Sequence, residues 1–233
     1  MERVSVWAVN ADGGEVGGLL EDLADAAFEY GRPIRSIPSY RGQRNFPGLY
    51  FAACSGRHVG FESWLERDEA MALDFDPQVA AFAAQPFRLT WEERPGRPRH
   101  TPDFFARRGD GVGVVIDCRP ADRIGPDDRE VFAATELACR SVEWEFRLVT
   151  GHDPVWLGNV RWLAGYRQAR FRREPAASEL VAAFTQPAPL VATAAAVGDP
   201  IAVLPVVYHL LWAGRLRADL AQRLDGSTLV TVS

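Results

Sequence analysis

Between Phe87 and Thr150 the chain sets out strand-forming and helix-forming segments in an order that restricts its fold more than any other feature. Phe87–Glu92, His100–Ala106, Val112–Arg119 and Trp144–Thr150 read as strands. Between the last two, Pro126 to Ser141 reads as a helix whose buried side comes from Val131, Phe132, Thr135, Leu137 and Ala138. A further helix, Glu62 to Leu73, precedes them, with Trp64, Leu65, Met71 and Leu73 apolar and charges between. Asp76-Pro77 breaks it and starts a short segment, Val79 to Phe82. Helix, three strands, helix, strand predicts an α/β fold in which a mixed sheet is flanked by helices.

Val4–Val9 alternates and predicts a strand, and the apolar spacing of Leu19, Leu20, Leu23, Ala26, Ala27 and Tyr30 predicts a helix over Leu19 to Tyr30. Residues 32–58 hold three prolines and three glycines and read as an irregular basic arm, followed by a short strand near Leu49–Ala53. Beyond Thr150 the texture changes. Pro154–Gln168 reads as an amphipathic helix, then come a basic link and Pro175. Ser178–Phe184, Pro189–Val197 and Pro200–Trp212 read as short helices, and Asp225-Gly226 as a hairpin turn. Three helices ending in a hairpin predict a winged-helix-like unit. The expected division is 1–152, a linking helix and basic segment over 153–175, and 176–233.

Composition narrows the function classes. Hydrophobic residues make up 47% of the 233 and charged residues 24%, as in globular proteins with a real core. No apolar run reaches the roughly 18 residues that suggest a membrane span. The opening MERVSVWAVNADGG has no basic-then-apolar leader pattern, which points to the cytoplasm. Cys54, Cys118 and Cys139 are too few and too scattered for a zinc site or a disulfide frame.

The net charge of −5 excludes an indiscriminately basic coat for nucleic acid, but the charge is segregated. Arg32, Arg35, Arg41, Arg44 and Arg57 fall between Gly31 and Phe61 with no acid among them, and Arg161, Arg167, Arg170, Arg172 and Arg173 make a second basic stretch. The first set is expected to contact DNA phosphates. Aromatic residues interleaved in that arm, Tyr40, Phe46, Tyr50 and Phe51, could stack bases or pin the loop to the domain. The chain has no lysine, and all 26 basic residues are arginine.

The chemistry concentrates between Phe61 and Pro120. Hydrolysis of a phosphodiester calls for a divalent ion that neutralises the phosphate oxygens and activates water, and a hard ion such as Mg²⁺ calls for convergent carboxylates. Asp117 and Arg119 are two apart on a strand and project from one face, while Ile116 and Cys118 point into the core. Asp103, in Pro102-Asp103, precedes them by thirteen intervening residues, enough for one strand to finish, a turn over Gly109–Gly113, and the next strand to return. A surface ion pair is the plain alternative for Asp117 and Arg119.

The stretches FESWLERDEAMALDFDPQVAAFAAQPF, RHTPDFFA and VIDCRP resemble the catalytic core of TnsA-like endonuclease subunits of heteromeric transposases, in the PD-(D/E)xK nuclease superfamily. The resemblance covers roughly residues 35–150. It implies a metal-dependent DNA endonuclease using Mg²⁺ or Mn²⁺, with Glu66, Asp103 and Asp117 as acids and metal ligands and Arg119 as the last catalytic position. It also implies double-stranded DNA as substrate and, as partners, a DDE-type transposase and an AAA+ ATPase. Glu62 is the alternative helix acid, Gln85 falls in a family-like stretch, and His100 flanks the motif. Arg119 departs from the family's lysine. It cannot act as a base, yet it can hold a phosphate. A defence-associated nuclease and a catalytically silent DNA- or protein-binding subunit are the competing readings. Ile201 to Trp212 lacks the Arg, Asn or Gln that reads base edges, so the C-terminal unit is expected to bind protein or to pack on the nuclease domain rather than to read sequence.

Overall fold

Alternation along Val4–Val9 (β1) turns Val6 and Ala8 inward, and the strand pairs antiparallel on one side with Glu15–Leu19 (β2). The computed structural model describes residues 2–35, 46–95 and 98–233, and the chain divides into two units, Met1–Gly151 and His152–Ser233. In the first unit the expected helix over Leu19 to Tyr30 shrinks to one turn, Leu20–Leu23 (α1), and a 3-10 turn at Phe28–Tyr30. The cause is tertiary. Arg107 Nη2 donates to the carbonyls of Ala26 at 2.8 Å and Ala24 at 3.3 Å, holding open a stretch that periodicity alone would coil.

The basic arm is more regular than its composition suggests. Gly48–Ala52 (β3) and Arg57–Phe61 (β4) form an antiparallel hairpin that leads into Trp64–Phe75 (α2). Asp74 fastens the hairpin to that helix: its buried carboxylate accepts from the Tyr50 hydroxyl at 2.8 Å and from the amides of Ala53 and Cys54 at 3.0 and 2.8 Å. Val79–Ala84 (β5), Phe87–Trp91 (β6), Arg99–His100 (β7), Phe104–Arg108 (β8) and Gly113–Cys118 (β9) follow. Pro126–Ser141 (α3) then crosses over to Glu145–Val149 (β10).

These strands do not make one sheet. β6 and β7 join β1 and β2 in the order β2-β1-β6-β7, while the mixed sheet is β10-β9-β8-β5, with β9 and β10 parallel. The segment His100–Ala106, expected as one strand, is therefore cut in two. Pro102 cannot donate to a ladder, and the break leaves Asp103 just ahead of β8, between the sheets.

Alternation on β9 assigns the two faces of the mixed sheet. Val114 and Ile116 pack with Ala70 and Leu73 of α2, and Val115 packs with Ala134 and Ala138 of α3. On the α3 side, Phe28, Phe87, Phe105 and Trp144 contact one another edge-on or tilted, with centroids no more than 6.0 Å apart. Each such side chain contributes about 1.5–3 kcal/mol on full burial. Gly113 starts β9 because a Cβ there would stand 2.8 Å from the Trp144 ring.

The second unit comprises Pro154–Ala164 (α4), Ala176–Ala183 (α5), Ala188–Pro189 (β11), Leu190–Val197 (α6), Pro200–Trp212 (α7), Leu216–Ala218 (β12) and Leu229–Val232 (β13). Its short sheet runs β11-β13-β12. The helix and basic link expected as a separate connector, 153–175, belong to this unit. Asn159 of α4 helps hold it together, donating to the Leu220 and Gln222 carbonyls and accepting from the Leu224 amide. The apolar helix α7 is the unit's centre, with Val203, Val206, Val207, Leu210 and Leu211 buried and only its first turn freely exposed. Its apolar surplus is taken up within the chain. Among the described residues no helix is long and apolar enough to cross a membrane.

Candidate active site

At the carboxyl end of β9 a pocket of about 800 Å³ opens in the first unit. It collects Glu66 from α2, Asp103 from the break before β8, Asp117 from β9 and Arg119 just beyond it. Glu62 and Arg35 also line it. Ligand sites in α/β sheets commonly lie beyond strand carboxyl ends.

Glu66 is positioned by its own helix start. Ser63 caps α2, its Oγ accepting from the Glu66 amide at 3.2 Å, and Glu66 reaches back to the Ser63 hydroxyl at 2.8 Å and the Glu62 amide at 2.7 Å. These capping hydrogen bonds give Glu66 a structural role in addition to any chemical one. Burial holds its carboxyl above the usual range, opposed by those two hydrogen bonds.

Asp103 keeps an opening to the pocket, but its carboxyl is enclosed on most sides. Oδ2 accepts from the Cys118 amide at 2.7 Å, which ties the residue to the end of β9. Burial first, then the like charges of Asp117 and Glu66, push its carboxyl up to about 8. Three acids from three separate elements therefore stand near enough to oppose one another's ionisation.

Asp117 is buried, and its Oδ2 lies 2.8 Å from His100 Nε2. His100, which sequence left between a structural and a flanking role, sits directly on an acid of the site. The signal available beforehand was only its place two residues ahead of Pro102-Asp103.

Arg119 is half-exposed, and its Nη2 bonds Asp128 Oδ1 at 2.6 Å in the first turn of α3. The hydrogen bond from Arg119 holds Asp128 below the usual carboxylate range. Arg119 thus occupies the pocket rim and a surface ion pair at once. Its amide, donating to Val149 at 2.9 Å, extends the parallel ladder one residue past β9.

Glu62 belongs to a second network. Its Oε1 accepts from Gln85 Nε2 at 2.9 Å and its Oε2 pairs with Arg35 Nη2 at 3.1 Å. Gln85 is buried with φ of 46°, a left-handed conformation that costs a non-glycine residue energy, and its amide donates to the Asp103 carbonyl. Gln85 therefore braces Glu62 and the backbone at Asp103.

The arm arginines divide by role. Arg35 lines the pocket. Arg32 donates to the Ala11 carbonyl at 3.0 Å and Arg57 to the Tyr30 carbonyl at 2.7 Å, so both hold loops. Arg41 and Arg44, with Tyr40, lie outside the described residues. Tyr50 is buried against Asp74 and Phe51 lies edge-on to His58; among the described residues Phe46 is the arm aromatic that lines the pocket.

Among the described residues no three His, Cys, Asp or Glu side chains form a ready metal cage. The donor chemistry nevertheless suits a hard dication held by one or two carboxylates with water completing its shell. Asp103 and Asp117 each have one oxygen engaged by a donor, and their mutual repulsion is what such an ion would relieve. The thiol of Cys118 suits neither role, because burial and the surrounding acids raise it out of reach of thiolate chemistry. No family model matches the chain, and no curated protein matches it.

Proposed function

We propose that this protein is a metal-dependent DNA endonuclease of the PD-(D/E)xK type, and that it serves as the strand-cutting subunit of a heteromeric transposase of TnsA-like kind. One observation carries the chemistry: Glu66, Asp103 and Asp117 line one pocket, where burial first and then the two neighbouring acids push Asp103 up to about 8. Acids gathered at that cost of charge repulsion are what a divalent cation needs. Asp103 and Asp117 would hold Mg²⁺ or Mn²⁺, with Glu66 reaching it directly or through water. When bound, the ion supplies neutralisation of the phosphate and activation of the attacking water.

The remaining residues bind and orient. His100 fixes the Asp117 carboxylate. Arg35 and Arg119 put two guanidinium forks at the pocket, suited to a phosphate diester. In the second unit, α5, α6 and α7 with the sheet β11-β13-β12 are read as winged-helix-like, a reading that their order supports. The burial of α7 argues against its entering a DNA groove, and the proposed transposase and ATPase partners rest on the resemblance alone.

The test is cleavage of supercoiled plasmid with Mg²⁺ or Mn²⁺ by the wild type, Asp103→Asn and Asp117→Asn. Nicking that needs the ion and both acids is expected, and activity that persists in either variant would falsify the assignment. A silent subunit is the second reading. It is favoured by the Arg119–Asp128 pair.

A further inference from the structure

At the mouth of the same pocket two large aromatic rings are left open. Phe46 is 57% exposed and Trp64 49%. The rings are stacked, with centroids 5.2 Å apart and planes inclined by 28°. The Arg67 guanidinium lies 4.2 Å from the centre of the Trp64 ring and is itself held by Asp68 at 2.8 Å. Trp64 opens α2 directly after its cap and stands two residues before Glu66, so its ring is tied to the helix start that carries that acid. Arg99 and Arg123, both exposed, line the same opening.

Apolar rings of this size at a wet, charged mouth gain nothing from solvent. A stacked pair with a supporting cation and arginines around it matches how unpaired bases are bound, the base on a π-face and the backbone along guanidinium groups. A closed duplex offers no free base face, because its bases are stacked on one another.

We infer that Phe46 and Trp64 form a stacking platform for an unpaired nucleobase, so that the substrate engaged at this pocket is a single-stranded end or a frayed strand rather than an uninterrupted duplex. The inference rests on the proposed nuclease reading for the identity of the ligand. It deepens that reading by replacing intact double-stranded DNA with locally unpaired DNA.

The test is equilibrium binding of the full chain, in EDTA, to end-labelled DNA of one sequence in three forms: a single strand of about 15 nucleotides, a blunt duplex, and a duplex with an overhang. Wild type should bind the single strand and the overhang about fivefold or more tighter than the blunt duplex. Phe46→Ala and Trp64→Ala should each lose about tenfold on the unpaired forms, with little change on the blunt duplex and unchanged circular dichroism. Trp64→Phe should restore most of the loss. Equal affinity for all three forms, or a Phe46→Ala protein that binds the single strand like wild type, overturns the platform.

Because no metal or cleavage enters this measurement, the two readings fail separately. A protein that cuts plasmid but shows no preference for unpaired ends keeps the nuclease and loses the platform. One that binds unpaired ends through Phe46 but never cuts keeps the platform and loses the nuclease.

Discussion

His100 Nε2 stands 2.8 Å from Asp117 Oδ2, and the two residues come from different sheets of the first unit, β7 beside β6 and β9 beside β8. The contact bridges the sheets where the acid pocket opens, and it fixes one oxygen of Asp117 while leaving the other for a ligand. Groups that orient a metal-binding carboxylate typically contribute 10–100-fold in affinity or activity. His100→Ala should therefore weaken Mn²⁺ binding by about tenfold in calorimetry, and His100→Gln should recover part of it. An alanine variant that binds Mn²⁺ like wild type would limit His100 to packing.

Asp103 carries the pH prediction. Its carboxyl sits at about 8 in the folded protein, against about 3.9 in an unfolded chain. Between those values the native state binds more protons than the unfolded state, so this group's effect on stability worsens as pH rises from about 4 through 8. Asp103→Asn has no such charge. Its melting temperature should exceed that of wild type near pH 9, and the gap should close toward pH 4. Parallel curves would remove the assignment.

A dication at the same carboxyl must displace its proton. Mn²⁺ affinity should rise between about pH 6 and pH 8, with release of about one proton, read by calorimetry in two buffers of different ionisation heat. Binding that is independent of both pH and buffer would place the ion elsewhere.

Arg119 tests whether charge or proton transfer matters at the last motif position. If it holds phosphate, Arg119→Lys should keep or raise metal-dependent cleavage, and Arg119→Ala should lower it by about 10²-fold. Neither change should alter metal binding or much affect melting, since the Asp128 pair is exposed. An inert wild type with an active Arg119→Lys would identify a silenced nuclease, and full activity in Arg119→Ala would reduce the residue to a surface partner of Asp128.

Asp74 tests the scaffold rather than the chemistry. Replacing it with alanine removes the acceptor shared by the Tyr50 hydroxyl and two backbone amides at a part-buried site. A loss of about 3 kcal/mol or more in urea unfolding is expected. A much smaller loss would mean that water enters and replaces the carboxylate.

The local pattern of the chain was enough for the strands β1, β9 and β10 and the helices α3 and α7, because each follows from periodicity and end signals within a few residues: Pro126 opens α3 and Asp199-Pro200 opens α7. The spacing of Asp103, Asp117 and Arg119 is likewise a local property, whereas Glu66 came from the resemblance, with Glu62 as its alternative. Which sheet each strand joined was not local. Phe87–Glu92 looks like any other strand in the run, and only its pairing with β1, 79 to 87 residues away, removes it from the mixed sheet. Helix periodicity over Leu19 to Tyr30 likewise yields to one distant guanidinium, that of Arg107.

Tertiary structure alone decided three further matters. It brought His100 onto Asp117, paired Arg119 with Asp128, and left Phe46 and Trp64 stacked at the pocket mouth. The physical reason is the same in each case. Side-chain partners across sheets and helices depend on the relative placement of whole elements, which hydrophobic burial of Phe28, Phe87, Phe105 and Trp144 sets collectively. Residue order fixes which groups can act, and packing fixes which of them meet.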